Sequence, residues 1–294
     1  MSIPIQVIRL SVVALGIIAI VAFKIVSSNM AEKKIDKALA NLPKGLVTYE
    51  DVSVDLLGFD VHINNIKIHA PGQKDAMIDE IVINSIDSDN EVPNYLDLEI
   101  NGIEIDIESL KYDRKMSKLL DGLGYENLKA DLALSYSYDK DDKIMEIKNM
   151  SFEVKDAGEL SFKTNLHGIN SLQNLSMQLM MNPRSIKVAK SSIKYEDESL
   201  AARLIKSDAL AAGLSEDKFK ENVLSELANT LKKAEEKEKK YEITMLEEVI
   251  DFFENPSSFE ISISPEEPIS VWDMQKANSA NELMKKINLD ISAN

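Results

Sequence analysis

The chain has 294 residues, no cysteine, and 50 acidic against 34 basic side chains, a net charge of −16. The missing cysteine excludes a disulfide framework, a cysteine nucleophile and cysteine-ligated metal. The excess of acid argues against nucleic acid as a partner, because phosphate binding needs clustered Lys and Arg. The charge is unevenly spread: residues 1–44 hold six bases and two acids, a net of +4, which leaves −20 for the remainder.

The N-terminal region contains an uncharged apolar run from Leu10 to Phe23, bracketed by Arg9 and Lys24. A bilayer core takes ~20 residues, and basic side chains near helix ends reach the interface. The sequence therefore predicts a membrane anchor over residues 1–28, with Arg9 and Lys24 at the membrane interface. A cleaved signal peptide is the alternative, because the run also fits the apolar part of a leader. The apolar side chains predicted to lie in the membrane are Leu10, Val12, Val13, Leu15, Ile17, Ile18, Ile20, Val21 and Phe23.

Residues 29–44 continue with helical spacing and are predicted to form a juxtamembrane helix, which Pro43 and Gly45 end. From Leu46 the apolar period changes to two, as in strands of an antiparallel sheet with one buried face. Strands are predicted around Val52, Val61, Ile81 and Leu98.

Two of these strands contain a matching irregularity. The alternation of apolar and polar residues shifts by one position, which we call a phase slip, at Asn64-Asn65 and again at Asn101-Gly102. Either a tight hairpin or a β-bulge within one long strand accounts for the slip, and the four-residue arms favour the bulge. The apolar side chains on either side of the slips are the candidate lining of an apolar groove: Val61, Ile63, Ile66, Ile68, Leu98, Ile100, Ile103 and Ile105.

Further strands are predicted along the rest of the first two thirds of the chain, with a short helix near Met116–Leu123. The predicted strands are Leu128–Tyr138, Ile144–Val154, Leu160–Leu166, Leu175–Met181 and Ile186–Tyr195. Residues 199–254 change to a helical period, with a stop at Gly213, a cap at Ser215 and a final stop at Asn255-Pro256. A late strand at Phe259–Ile263, a loop or short helix around Trp272 and a last strand near Leu289 follow.

Motifs that would carry catalysis are missing from the sequence. The acidic runs at Asp87 and Asp139 lack the glycine and glutamate that a calcium loop needs, and are predicted to be solvated turns. The three histidines, His62, His69 and His167, are predicted to be surface or turn residues. We therefore expect a protein that is not an enzyme, with no catalytic residue, cofactor or metal site.

Three stretches within residues 1–110 resemble those of a known protein family: Gly45-Leu46-Val47 leading to 52–58, then 66–71, then 98–103. Together with the anchor, residues 1–110 resemble the AsmA-like group of bacterial envelope proteins. The remainder is similar in style to small uncharacterised Gram-negative inner-membrane-anchored proteins. The resemblance implies a single span of the bacterial inner membrane, a body exported to the periplasm, and an apolar groove that handles phospholipid. The lysines that follow the apolar run favour the opposite orientation, although long exported domains override that bias.

The expected fold class is α+β. An N-terminal transmembrane helix precedes a large antiparallel amphipathic sheet, forming an open groove or a curved sheet, and a C-terminal helical subdomain. The expected segments are an anchor over 1–28, a juxtamembrane helix over 29–44, a β domain over 45–198, helices over 199–256 and a mixed tail over 257–294. We expect the chain to be a membrane-anchored envelope protein that binds lipid or another apolar ligand. The alternatives are a structural module that docks a protein partner through its acidic helices and, last, a carboxylate hydrolase.

Overall fold

The computed structural model describes residues 47–55, 60–69, 75–87, 89–90, 92–111, 114–274, 276 and 280–294. Its strands are Val47–Thr48 (β1), Asp51–Val54 (β2), Val61–Ile68 (β3), Ala76–Ile86 (β4), Tyr95–Ile105 (β5), Leu128–Asp139 (β6), Ile144–Val154 (β7), Gly158–His167 (β8), Lys187–Asp197 (β9), Ser258–Ile263 (β10), Ile269–Ser270 (β11) and Leu289–Ala293 (β12). Its helices are Ile107–Leu110 (α1), Arg114–Leu123 (α2), Leu175–Met181 (α3), Leu200–Ala212 (α4), Glu216–Glu235 (α5), Lys240–Glu254 (α6), Val271–Met274 (α7) and Ala280–Lys286 (α8). A 3₁₀ turn spans Pro183–Ser185.

All twelve strands join one antiparallel sheet in the order β1-β3-β4-β5-β6-β7-β8-β9-β10-β12, with β2 also paired to β3 and β11 to β9. The large antiparallel sheet with several helices confirms the α+β class. Neighbours in the chain are neighbours in the sheet from β3 to β9. Tight turns join β6 to β7, at 140–143, and β7 to β8, whereas helices lie in the connections from β5 to β6 and from β8 to β9. The last two long strands, β10 and β12, return to the sheet after the helices.

The two phase slips lie inside single strands, so the bulge interpretation is confirmed at Asn101-Gly102 and the hairpin alternative is wrong at both sites. Gly102 has a φ of +70°, and the pairing of β5 with β6 shifts by one residue between Ile100 and Ile103. The Gly102 N–H donates to Asp131 Oδ1 at 2.6 Å. At the first site Asn65 takes a φ of +52° within β3. A left-handed residue at each slip returns the following side chains to the inner face.

The main hydrophobic core lies on one face of β3, β4 and β5. Its buried members are 2–8% exposed, and they come from these three strands alone: Val61, Ile63, Ile66, Ile68, Ile78, Ile81, Ile83, Ile86, Leu98 and Ile100. Leu132 of β6 packs against the edge of this group. Isoleucine and valine dominate because branched side chains pack well on a pleated surface.

The helices α4, α5 and α6 follow the signals expected from the sequence. Gly213 ends α4 in the left-handed conformation, with a φ of +69°. The Ser215 side chain caps α5 by accepting from the N–H of Lys218, and Glu216 and Asp217 occupy its first turn, where the helix dipole favours acids. Among the described residues, no helix is both long enough and apolar enough to cross a bilayer. The predicted anchor over 1–28 and the juxtamembrane helix over 29–44 lie outside the described residues.

One predicted strand is wrong. Leu175–Met181 forms the helix α3, without a buried residue. Its alternation of Leu and Met with Ser and Gln imitates a strand period, but these residues are also good helix formers. Since β8 pairs directly with β9, the sheet leaves no position for a strand between them.

Candidate functional site

A continuous apolar face crosses the whole sheet. Residues that lie directly opposite each other in an antiparallel pair bring their side chains close together, so the strand register shows which side chains share a row. One row runs through Ile63, Ile81, Ile100, Leu132, Phe152, Leu160, Tyr195 and Phe259. The next row runs through Val61, Ile83, Leu98, Leu134, Met150, Phe162, Ile193, Ile261 and Ile291.

The two halves of this face differ in how exposed their side chains are to solvent. In β3–β5 the row members are at most 8% exposed. In β7–β10 five of them are open to solvent, and we call these five the open apolar patch: Met150 (44%), Phe152 (42%), Leu160 (50%), Ile193 (50%) and Ile261 (39%). A contiguous patch of large apolar side chains is uncommon on a soluble surface and marks a place where something binds.

Helix α6 marks one boundary of the open apolar patch. The Phe252 ring lies 6.0 Å from the Tyr195 ring and 5.9 Å from the Phe259 ring, both in edge-to-face geometry. Tyr195 and Phe259 lie opposite each other on β9 and β10, and the next pair along the same face is Ile193 and Ile261. The helix therefore covers one pair and leaves the next pair uncovered.

The opposite face of the same strands is polar. Ser161 of β8 lies beside Lys194 of β9, and Lys194 lies beside Glu260 of β10. Lys194 Nζ pairs with Glu196 Oε1 at 2.8 Å, which raises the pKa of the lysine. Water can solvate this face without cost, so the exposed apolar side chains are confined to one side of the sheet.

The eight residues predicted to line a groove all lie in the first half of the sheet. Val61, Ile63, Ile66, Ile68, Leu98 and Ile100 are buried in the core, and Ile103 and Ile105 are half-buried. They belong to the covered half of the apolar face, whereas the open half begins at β7. That any of them contacts a ligand stays a prediction. The alternation on β7–β10 was readable in the sequence, but nothing in the sequence indicated which strands a helix or another strand covers.

A polar cleft of about 460 Å³ lies between the α2–β6 connection and the start of α4, lined by Tyr125, Glu126, Asp156, Ser199 and Arg203 among others. The guanidinium carbon of Arg203 lies 4.2 Å from the Tyr125 ring centroid. The same side chain donates to the Leu123 carbonyl at 2.8 Å and to Ser199 Oγ at 3.0 Å. Because the contacts with Leu123 and Tyr125 go to the end of α2 and the connection that follows it, Arg203 ties α4 to that part of the chain.

The acidic turn at Asp87 is a structural feature of the β4–β5 connection. Asp87 is 5% exposed and accepts from the Asn94 and Asp89 N–H groups and from the Asn90 side chain. Burial raises the pKa of this carboxyl, but the four hydrogen bonds together lower the pKa below its ordinary value. Asp87 is therefore buried, whereas the sequence predicted a solvated turn. Within the described ranges, no group of three or more His, Asp or Glu side chains is placed to hold a metal ion.

His62 and His69 each pair with a carboxylate on a neighbouring part of the sheet. The distances are 2.8 Å from His62 Nδ1 to Glu80 and 2.9 Å from His69 Nδ1 to Asp75. Both pairs are partly exposed, and each one links the β3 side of the sheet to the adjacent β4 side.

A family model described as an uncharacterized protein matches residues 151–294. No curated protein matches the chain. The matched stretch includes four of the five residues of the open apolar patch, Phe152, Leu160, Ile193 and Ile261. It does not include residues 1–110, so the resemblance to the AsmA-like group stays a prediction.

Proposed function

We propose that the chain is a non-enzymatic, membrane-anchored protein of the bacterial envelope whose open apolar patch binds the acyl chain of a lipid. The observation that carries the proposal is the uncovered apolar row from Met150 to Ile261 on a sheet whose other face is polar. Adjacent strands lie about 4.8 Å apart, so four strands give a strip of about 15 Å across the sheet. A flexible apolar chain fits such a strip better than a compact polar ligand.

The burial of the first half of the apolar face is consistent with the same function. The core side chains of β3, β4 and β5 are at most 8% exposed, and they pack with residues of the sheet and its adjoining loop. We infer that the sheet curves there, because the described residues that pack against this cluster belong to the sheet and to the loop at Tyr49. We infer that the concave side continues into β7–β10, where it stays open as a groove.

The helices of residues 199–256 are part of this groove, because Phe252 packs on the sheet. Deleting them would uncover Tyr195 and Phe259 and create a new apolar surface. Docking of a protein partner through this region is therefore better tested with point variants of exposed residues on α5 than with a deletion.

The test uses the full chain in lipid nanodiscs that contain a phospholipid with a diazirine in its acyl chain. After irradiation, mass spectrometry maps the cross-linked peptides. The proposal expects cross-links on β7, β8, β9 and β10, in addition to any in the N-terminal segment. A variant with Leu160→Asn and Ile193→Asn should lose the cross-links in the sheet.

The matched control carries Ser161→Asn and Ser192→Asn, the neighbouring residues on the polar face of the same strands. It should keep the wild-type pattern. Cross-links confined to the N-terminal segment, or an unchanged pattern in the Leu160 and Ile193 variant, would contradict lipid binding on the sheet.

A further inference from the structure

Helix α3 presents an unusual apolar surface at the connection between β8 and β9. Its side chains Met177, Leu179, Met180 and Met181 are 58%, 47%, 86% and 79% exposed. The helix has no buried residue. Met and Leu side chains this exposed contribute little to the folded core, and a cluster of them on one short helix is typical of an interaction surface.

The side of α3 that faces the protein carries Gln178 and the half-buried Leu175, and the other apolar side chains point away from it. The Gln178 amide nitrogen donates to the Gly168 carbonyl at 2.6 Å and to Ser185 Oγ at 2.8 Å, and its oxygen accepts from the Asn170 N–H at 3.0 Å. In an ordinary surface helix the apolar stripe faces the core. Here one glutamine donates two hydrogen bonds and accepts a third, and these bonds hold the helix with four of its apolar side chains exposed.

The charge around α3 differs from that of the rest of the chain. Residues 160–195 contain no Asp or Glu, although the average content of 50 acids in 294 residues would give about six in a stretch of this length. The same stretch contains five bases: Lys163, Arg184, Lys187, Lys190 and Lys194. Arg184, Lys187 and Lys190 follow α3 directly, in the 3₁₀ turn and at the start of β9.

An aromatic side chain completes this surface. The Trp272 ring, 39% exposed, has the Arg184 guanidinium 5.2 Å and the Lys276 ammonium 5.5 Å from its centroid. Acids are also present at its border. Glu267 lines a cavity with Lys187, and the pKa of Asp273 is lowered mainly by a hydrogen bond from Ser270, with Lys286, Arg184 and Lys276 adding to the effect. The acidic turn 139–142 lies nearby, since the backbone carbonyl of Lys143 accepts from the Gly168 and Ile169 N–H groups.

We propose that α3, with Arg184, Lys187, Lys190 and Trp272, docks on the surface of a bilayer that contains anionic lipid. Apolar side chains on a short helix enter the boundary between headgroups and acyl chains, Trp prefers the same depth, and bases pair with anionic headgroups. Charge complementarity favours a bilayer over an apolar protein segment, because the only acid-free stretch of this length in the acidic body surrounds the exposed helix. The inference stands independently of acyl-chain binding on the sheet.

The chain contains no cysteine, so one introduced cysteine can be labelled specifically. The experiment uses the full chain in nanodiscs with an NBD fluorophore on a Ser176→Cys variant, since Ser176 is an exposed residue of α3. We expect a blue-shifted NBD emission and quenching by doxyl-labelled lipid when phosphatidylglycerol is included, and neither with phosphatidylcholine alone. The matched control is Ser225→Cys on α5, also exposed, whose probe should stay in water.

Two variants separate the contributions. Met177→Ser, Met180→Ser and Met181→Ser together should reduce the inserted fraction more than tenfold, because burial of each methionine is lost. Lys187→Gln with Lys190→Gln should weaken insertion by about tenfold and reduce its salt dependence. A control with Leu210→Ser, Leu214→Ser and Met245→Ser, three exposed apolar residues of the helical region, should insert as the wild type does.

A Ser176 probe that stays in water with phosphatidylglycerol would overturn the inference. So would equal insertion of the triple methionine variant, or a probe response that depends on a second protein and not on the bilayer. The diazirine cross-links on the sheet should survive the methionine substitutions. Loss of docking can therefore be distinguished from loss of acyl-chain binding.

Discussion

The difference in cover between the two halves of the apolar face can be measured with one substitution at two positions. Ile83 and Ile193 belong to the same cross-strand row, on β4 and β9. Ile83 is 2% exposed and Ile193 is 50% exposed. Replacing each with alanine removes the same atoms from the same kind of strand position, so differences in β-propensity largely cancel.

The expected magnitudes follow from burial. Ile→Ala at a fully buried site costs about 2–5 kcal/mol, since the lost transfer energy adds to the cost of the cavity. At Ile193 about half of the side chain is already in water and no closed cavity forms, so the expected cost is about 1 kcal/mol. The two variants should therefore differ by about 2–3 kcal/mol in the free energy of unfolding.

The assay is pulse proteolysis of the full chain in nanodiscs across a urea series, which reports the folded fraction at equilibrium without a detergent micelle on the patch. Ser192→Ala, the neighbour of Ile193 on the polar face, is the control and should cost little. If Ile193→Ala destabilises as much as Ile83→Ala, the Ile193 side chain is covered in the assay by another part of the chain or by lipid, and the cost expected for an uncovered side chain is refuted.

Three further predictions concern the local chemistry of the sheet. Gly102→Ala should destabilise by about 2 kcal/mol in urea unfolding, because its φ is +70° and a Cβ there would clash with the Asp79 carboxylate. The cost should fall in an Asp79→Ala background, and equal costs would exclude the clash as the cause. Glu153→Gln should raise the melting temperature at pH 7, because burial and then Asp131, Glu198 and Glu159 raise the pKa of Glu153. The wild type therefore loses stability as the pH rises from the ordinary pKa of 4.5 through the folded pKa, and the variant does not. An equal gain in melting temperature at pH 4 would contradict this. Asp87→Asn should cost about 1–3 kcal/mol at pH 7. Since the folded pKa of Asp87 lies below its ordinary value of 3.8, the deficit of the variant should shrink as the pH falls through that folded pKa, and a deficit independent of pH in scanning calorimetry would refute this.

Most of the sheet could be predicted from the sequence, because the side-chain period of a strand is two and one face is buried. The alternation at Leu98 and Ile100, the turn at Asp139–Asp142 and the cap at Ser215 were all predicted and are confirmed. The bulge at Gly102 was also predictable, since a slip of one residue would otherwise turn the inner side chains outward.

Helix α3 was not predictable in this way. Over seven residues, an alternation of apolar and polar side chains fits a strand as well as a short helix, and the direct pairing of β8 with β9 decides between them. Asp87 shows the same limit. Its sequence surroundings are those of a solvated turn, but the path of the loop brings four hydrogen-bond donors around its carboxylate and buries it.

An antiparallel sheet with one apolar and one polar face is readable from the amino-acid order, since that property depends on which residues alternate along each strand. The covered part of the apolar face is not, because it depends on how the strands and helices pack. Ile83 and Ile193 are the same residue in the same alternation, yet one is buried and the other is half exposed. The alternation along a strand does not specify what packs on top of it: Ile83 belongs to the tightly packed cluster of β3, β4 and β5, whereas Phe252 of α6 reaches Tyr195 and Phe259 and stops one pair short of Ile193.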